Sequence, residues 1–368
     1  MLHLTGHAFT VFVLLASSLM AAATGSSIGT LLAAMPIFFP AGVALGADPA
    51  MLAGAVLSGA IFGDNLAPVS DVTVISSVTQ RFRNGTPADI AGVVRTRLPY
   101  AMIALAVSLP VYAFMGESLP VSEAALSGDA SALLMLVPVA VLIAVAVRTR
   151  DVLMAISAGV VTGTATGLLI GRLSFATIFA ADDGRLSGFL ISGISNVSPI
   201  ILLCVTLFAF TGIVREAGVP DMMAKALEAG SAGRPSALRT ELFLSAATLV
   251  VTTLFAAVTS ASVALVGSLT DDIGRASNVH PYRRSHILSG LANSLPVLMP
   301  FSAFVLITMA AVSGLEGAAA VTPFTLMTAA FYPIALFLVF GFMVLTGTGR
   351  MMETPEPEAA EAKTATAL

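Results

Sequence analysis

The chain has 368 residues, 57% of them hydrophobic and only 10% charged, with a formal net charge of −4. Soluble domains carry about 25% charged residues, so this composition, with a mean hydropathy of +0.96, excludes a soluble globular protein. The acidic balance leaves no basic face for nucleic acid, and the single cysteine, Cys204, excludes an internal disulfide and a cysteine-built metal site.

Leu2–Ala23 reads as a first membrane segment. Its Ala21-Ala22-Ala23 end resembles a signal-peptide cleavage site, but the leading residues carry no Lys or Arg. A hydroxyl-rich break, Thr24-Gly25-Ser26-Ser27, precedes a second apolar stretch, Ile28–Leu45, which contains Pro36 and Pro40. Met51–Val78 is apolar except at Gly63–Asp71, GDNLAPVSD. Such an interruption predicts a re-entrant hairpin or a discontinuous helix.

Arg81–Arg97 reads as a basic loop and Pro99–Met115 as a span. An acidic linker over 117–130 leads to the spans Ala132–Val147 and Val152–Ile170. Leu186–Val214 breaks at Ser195-Asn196-Val197-Ser198-Pro199, and Arg215–Glu241 reads as a charged connector. Leu242–Val258, the break Thr259-Ser260-Ala261-Ser262 and Val263–Leu269 follow, then a basic loop, Arg275–Arg284. The long run Ile287–Val312 and a final span, Phe324–Leu345, precede a Glu/Ala/Thr-rich tail, 349–368, predicted to be disordered. The four basic loops belong in the cytoplasm by the positive-inside rule, as does the C-terminus, and the acidic linker belongs outside.

Asp64 and Asp71 carry the chemistry. An ionised Asp at mid-membrane costs roughly 2.5–3.5 kcal/mol even on the lenient insertion scale. Pro68 removes a helical N–H, and its ring presses on the carbonyl of Asp64, which is expected to be freed. Asn65, Ser70 and Thr73 add neutral oxygens. A hard cation prefers oxygen ligands, and one carboxylate can hold a proton or a sodium ion but not comfortably both. The stretch therefore reads as a cation- or proton-binding site, with Asp64 and Asp71 as the ion ligands. The bland alternative is a surface loop with two solvated aspartates.

An internal repeat extends the reading. Leu57-Ser58-Gly59 recurs as Leu288-Ser289-Gly290, Pro68-Val69-Ser70 approximately as Pro300-Phe301-Ser302, and Thr24–Ser27 is echoed by Thr259–Ser262. The first long segment ends at a basic loop and the second at Ser313–Thr322, which has Glu316 and no base. One unit thus sits in two orientations, as in transporters with inverted-topology repeats and a midplane site. The fold class is an all-α polytopic membrane protein with such repeats and re-entrant or discontinuous helices. The first repeat covers 1–116 and the second 131–348. Auxiliary site residues are Thr24, Ser26, Ser27, Asn196, Ser198, Thr259, Ser260, Asn293 and Ser294. His280 and His286 are expected to face solvent, and Asp271 and Asp272 to cap a helix or sit in water.

Ala53–Ser77, AGAVLSGAIFGDNLAPVSDVTVISS, resembles the signature of NhaC-type Na+/H+ antiporters, roughly G-D-x-x-S-P-x-S-D-T-T. Ala23–Thr30, ATGSSIGT, is similar to that family's T-G-(T/S)-S-x-G-T stretch. The resemblance implies Na+/H+ exchange across the cytoplasmic membrane, or coupled transport of an organic anion or amino acid, with Arg95 or Arg97 a poor candidate for holding the anion. It also implies further N-terminal spans, which this sequence lacks. Ala67 and Val72 replace hydroxyl residues of the pattern, and Asn65 stands where a His or Lys is common, removing a basic neighbour of Asp64. No HExxH, GxSxG or Walker-type segment points to an enzyme. No cofactor is expected; the partners are Na+, H+ and the bilayer, and a homodimer is left open.

Overall fold

The computed structural model describes residues 6–116, 120, 134, 136–171, 173–178, 180–182, 185–188 and 236–353, with isolated positions between 198 and 218. Among these the architecture is helical, apart from one short hairpin pairing β1 (Ala180–Asp182) with β2 (Arg185–Ser187). Five helices are long and apolar enough to cross a membrane, or up to seven if each of two bent pairs is one span. The chain is a multi-pass membrane protein.

Two units of one plan make up the described fold. In the first, α1 (Gly6–Thr24) and α2 (Ser27–Ala44) form a hairpin. Next come α3 (Pro49–Leu66), a break, α4 (Asp71–Val78) and the span α5 (Ile90–Phe114). Capping explains the boundaries. Ser26 Oγ accepts from Gly29 N–H at 3.0 Å, and Asp48 Oδ1 accepts from Met51 N–H at 3.0 Å with Pro49 in the first turn.

Asp89 caps α5 by accepting from Gly92 N–H at 2.6 Å, so the helix begins at Ile90. Arg95 and Arg97 are therefore helical, and the expected loop to Arg97 is corrected. Pro99 lies inside the helix and does not open it. The Tyr282 hydroxyl and the Gly92 N–H hold the Asp89 carboxyl below the ordinary carboxylate range.

The second unit repeats the order. Its hairpin is α9 (Ala237–Leu254) and α10 (Thr259–Ala276). The broken segment is α11 (Pro281–Ala292), a 3₁₀ turn at Leu295–Leu298 and α12 (Ala303–Val312), bent by 50°. The last span, α13 (Pro323–Ala329) with α14 (Phe331–Thr346), is bent by 56°. Between the units lie α6 (Leu136–Thr149), α7 (Val152–Leu169) and the short α8 (Phe175–Ile178).

The hairpins open on opposite faces. Gly6 packs on Gly46 and Ala47, so both ends of the α1–α2 hairpin lie beside the start of α3. Within the described residues, the first two expected segments are thus the two arms of one hairpin, Gly6–Thr24 and Ser27–Ala44. Glu241 near the start of α9 pairs with Arg283 and Arg350, and Asp271 near the end of α10 pairs with Arg284. That places the second hairpin's open end on the arginine-rich face. The run Pro49–Val78, 30 residues long, separates the two faces. At 1.5 Å per residue it spans about 45 Å.

Each tip meets its own unit's break. Gly25, with φ of +68°, abuts Val69 and Ser70. Ala256 and Ala257, with φ of 50° and 60°, form the other tip, and Ala256 O accepts from Ala303 N–H at 2.8 Å. Two successive alanines in the left-handed region are strained, and the close approach of α12 holds them there.

Small residues let α1 and α3 run side by side. A Cβ at Gly63 would collide with the Ser18 carbonyl and with Ala22. Gly63→Ala is expected to destabilise by about 1–3 kcal/mol through overpacking. Gly341→Ala on α14, where a Cβ meets nothing within 4 Å, should be neutral or slightly stabilising. Thermal unfolding of the two purified variants in detergent distinguishes them.

The arginine-rich face is tightly tied. Arg284 donates to Asp271 Oδ1 (2.7 Å), Gln80 Oε1 (2.8 Å), Val279 O (2.9 Å) and Arg81 O (2.6 Å). Asp271 is thus buried and ion-paired; Asp272 is exposed and pairs with Arg275. Glu241, read as the end of a connector, is a fully buried residue of α9. Residues 350–353, assigned to the tail, are docked: Met352 bridges to Val279, His280 N–H donates to Met351 O (3.1 Å) and Glu353 N–H to Asn278 O (2.8 Å). The rest of the tail, 354–368, lies outside the described residues.

Candidate ion-binding site

The two aspartates occupy different environments. Asp64, in the last turn of α3, is 2% exposed. Its Oδ2 accepts from Ser27 Oγ at 3.3 Å, and its Oδ1 has no hydrogen-bond partner. Ser70 lies close to the same carboxylate, and its hydroxyl also has no partner within hydrogen-bonding geometry. Ser70 is the N-cap residue of α4, yet its side chain does not cap the helix. Two buried oxygens without partners therefore lie close together, one on α3 and one in the break.

Asp71 is exposed. Its Oδ1 accepts from Val72 N–H at 2.8 Å, and Ser260 Oγ donates to its Oδ2. The N-terminal end of α4 suits this negative charge. Of the two carboxylates expected to be embedded, Asp64 is buried, and Asp71 is exposed at the junction of the first break with the second hairpin.

The breaks meet through asparagines. Asn65 accepts from Asn293 Nδ2 at 2.9 Å and donates to the Tyr332 hydroxyl at 3.3 Å. Asn293 Oδ1 is buried without a partner. Asn65 is near the C-terminal end of α3 and Asn293 follows the end of α11, so two negative dipole ends converge. This arrangement favours a cation.

Not every expected ligand joins this group. Thr24 Oγ1 donates to Met20 O at 2.9 Å, Ser26 caps α2, and Ser294 Oγ donates to Leu291 O at 2.7 Å. Thr259 opens α10, and its carbonyl accepts from Ser262 Oγ at 3.0 Å. Thr73 is buried but serves as acceptor for Arg97 Nη2 at 2.7 Å. Ser198 is exposed, and Asn196 lies outside the described residues. The Asp64 carbonyl is not simply freed by Pro68. The Ala67 N–H bifurcates to Gly63 O (3.0 Å) and Asp64 O (3.2 Å), closing the helix one residue before the proline.

Residues outside the motif complete the site. Arg97 is 1% exposed and reaches across to Thr73 and Ser289, so the basic neighbour missing at Asn65 comes from α5. Tyr112 donates to Ala329 O at 2.7 Å and accepts from Phe331 N–H at 3.0 Å. Ser58 accepts from Tyr332 N–H at 3.3 Å. These two side chains satisfy the backbone opened at Ala330, which fixes Tyr332 over Asn65. His286 is fully buried beside Thr96 Oγ1 (2.9 Å) and Val93 O (3.2 Å), not solvent-facing as expected. In the sequence the repeat marks Ser58 and Ser289, Arg97 and His286 read in other roles, and nothing marks Tyr112 or Tyr332.

Residues 2–117 match the model of the Na+/H+ antiporter family. The malate-2H(+)/Na(+)-lactate antiporter of Bacillus subtilis is 34% identical over 108 residues, 29% of this chain and 22% of that protein. The Na(+)/H(+) antiporter NhaC of Alkalihalophilus pseudofirmus is 47% identical over 68 residues, 18% of this chain and 14% of that protein. The matched stretch thus spans less than a quarter of either relative's length. The family-matched residues 2–117 hold the first hairpin, both aspartates and Arg97. Over residues 2–117 this chain is similar to the Na+/H+ antiporter family.

Proposed function

We propose that the protein exchanges Na+ for H+ across the cytoplasmic membrane, with Asp64 as the exchange carboxylate. The observation that carries this reading is the sealed carboxylate with an unspent Oδ1 beside the unspent Ser70 hydroxyl. Burial of an unpaired carboxylate at membrane depth is costly, and either a proton or a monovalent cation relieves that cost. Ser27 and Ser70 complete the ligand set. Asn65 and Asn293 supply the negative dipole environment. Asp71, hydrated and bonded to Ser260, guides the cation toward the pocket and ties the repeats together.

Alternating access moves one unit against the other around the two breaks. Na+ and H+ compete for one carboxylate, so the site crosses loaded with one or the other. The test is a pH-sensitive dye in proteoliposomes, with Na+ pulses compared against K+ and choline. Sodium-specific proton movement is expected. Uptake of a labelled carboxylate or amino acid without it would move the reading to organic-solute transport.

The arginine-rich face is assigned to the cytoplasm, together with the C-terminus. Single cysteines at Asn84 and Glu316, both exposed, are placed in a Cys204→Ala background. An impermeant thiol reagent applied to intact cells is expected to label the second and spare the first.

A further inference from the structure

Among the described residues three arginines are fully buried: Arg97, Arg283 and Arg284. Arg283 is paired with Glu241 and Arg284 with Asp271, at 3.0 and 2.7 Å. No ion pair among the described residues includes Arg97. Its Nη1 donates to Ser289 Oγ and its Nη2 to Thr73 Oγ1, and its Nε has no partner. A buried guanidinium held only by neutral hydroxyls is expensive unless an anion compensates it. Asp64 is the matching anomaly, a buried carboxylate with an unspent oxygen and no ion pair. The two are joined through one bonded chain: Asn65, next to Asp64, accepts from Asn293, whose N–H donates to the carbonyl of Ser289, the hydroxyl partner of Arg97. Tyr332 and His286 also face Arg97.

Their separation is built in. Thr73 belongs to α4 and Ser289 to α11, so the guanidinium is pinned between the broken segments of both units. A direct Arg97–Asp64 bridge would close the carboxylate to any other cation. Holding the guanidinium on two hydroxyls leaves its field acting on Asp64 while keeping a ligand position open.

We infer that Arg97 is the resident counter-cation of the Asp64 pocket. It balances the carboxylate when the pocket is empty and competes with the transported monovalent cation for it. The inference rests on the exchange reading above and adds what sets its cation affinity. Without Arg97 the pocket would hold its cation too tightly to release it on the other side.

The test compares Arg97→Gln and Arg97→Lys with wild type. Purified full-length protein is titrated with NaCl by calorimetry at one fixed alkaline pH, alongside KM and maximal rate in proteoliposomes. Removing a nearby buried unit charge, at the effective dielectric of a protein interior, changes cation affinity by about tenfold or more. Arg97→Gln is expected to bind Na+ at least about tenfold tighter, with lower KM and lower maximal rate. Arg97→Lys, which keeps the charge without the fork, should hold Na+ affinity within about threefold of wild type.

A merely structural role for Arg97 predicts loss of rate in Arg97→Gln with Na+ affinity unchanged or weaker, and that result overturns the inference. If Arg97→Gln fails to fold, the lysine variant decides: loss of Na+ binding in it overturns the inference, and retention supports it. Absence of a Na+ response in wild type defeats the exchange reading itself. A wild-type response with unaltered Arg97→Gln affinity defeats the counter-cation alone.

Discussion

Asp64→Asn is expected to abolish Na+-dependent proton movement, a loss of roughly a hundredfold or more, as befits removal of a group that must take up and release a proton. Asparagine keeps the volume and one oxygen, so Ser27 retains an acceptor and the fold of the break should persist. Asp71→Asn is expected to cost much less, about three- to tenfold. Its side chain is exposed, and asparagine keeps an oxygen for the Val72 N–H while its Nδ2 can donate to Ser260 Oγ, whose hydroxyl turns to accept. Initial rates in proteoliposomes at several Na+ concentrations separate the two. Equal and complete loss in both variants would show that Asp71 shares the exchange step.

Stability follows a different logic. Removing a buried, unpaired carboxylate relieves a desolvation cost, but here it also strips Arg97 of its nearest negative field. The melting temperature of Asp64→Asn is therefore expected to change little. Asp64→Asn combined with Arg97→Gln, which removes both buried charges, should melt above either single variant. A strictly additive pair would show that the two charges do not interact.

The second large effect lies on the arginine-rich face. Glu241 accepts from Arg283 Nε at 3.0 Å and Nη2 at 3.2 Å, and from Arg350 Nε at 3.1 Å and Nη2 at 2.9 Å. Arg350 is partly exposed and can turn to water, but Arg283 is fully buried and cannot. Its remaining bonds, to Met343 O (2.6 Å) and Thr348 O (2.8 Å), satisfy donors without neutralising the charge. Breaking a buried pair by removing one partner costs about 3–5 kcal/mol. Glu241→Ala is thus expected to lower the melting temperature in detergent by on the order of 10 °C. Arg350→Ala should cost far less, since the Glu241–Arg283 pair remains. A small Glu241→Ala effect would mean that water reaches Arg283.

Residues 350–353 depend on the same pair. They join α11 to the Arg81–Asp89 segment through Val279, Asn278 and the Arg83 N–H, which donates to Glu353 at 2.6 Å. Loss of Glu241 frees Arg350 and removes one anchor of this strap. Limited proteolysis near Met351 is accordingly expected to accelerate in Glu241→Ala.

Local chemistry settled much of this protein before any contact was known. A chain 57% hydrophobic and 10% charged must satisfy its backbone internally in lipid, which requires helices. Pro68 and the polar run around it force a break in α3–α4, and Ser26, Asp48 and Asp89 are caps by residue type and position. The Thr24–Ser27 and Thr259–Ser262 echo is the trace of two hairpins opening on opposite faces. Long-range packing decided the rest. Nothing near Asp64 or Asp71 in sequence says that one is sealed under Ser27 and the other left beside Ser260. That difference depends on where the two hairpin tips land. Arg97, Glu241, Asp271 and His286 look like solvated loop or helix-end residues because charged side chains near basic runs usually are. Partners up to 204 residues distant, as for Arg284 and Gln80, bury such groups, and periodicity or spacing carries no signal of partners so remote. Tertiary structure alone brought a buried arginine against this acidic motif, since Arg97 arrives on a different helix.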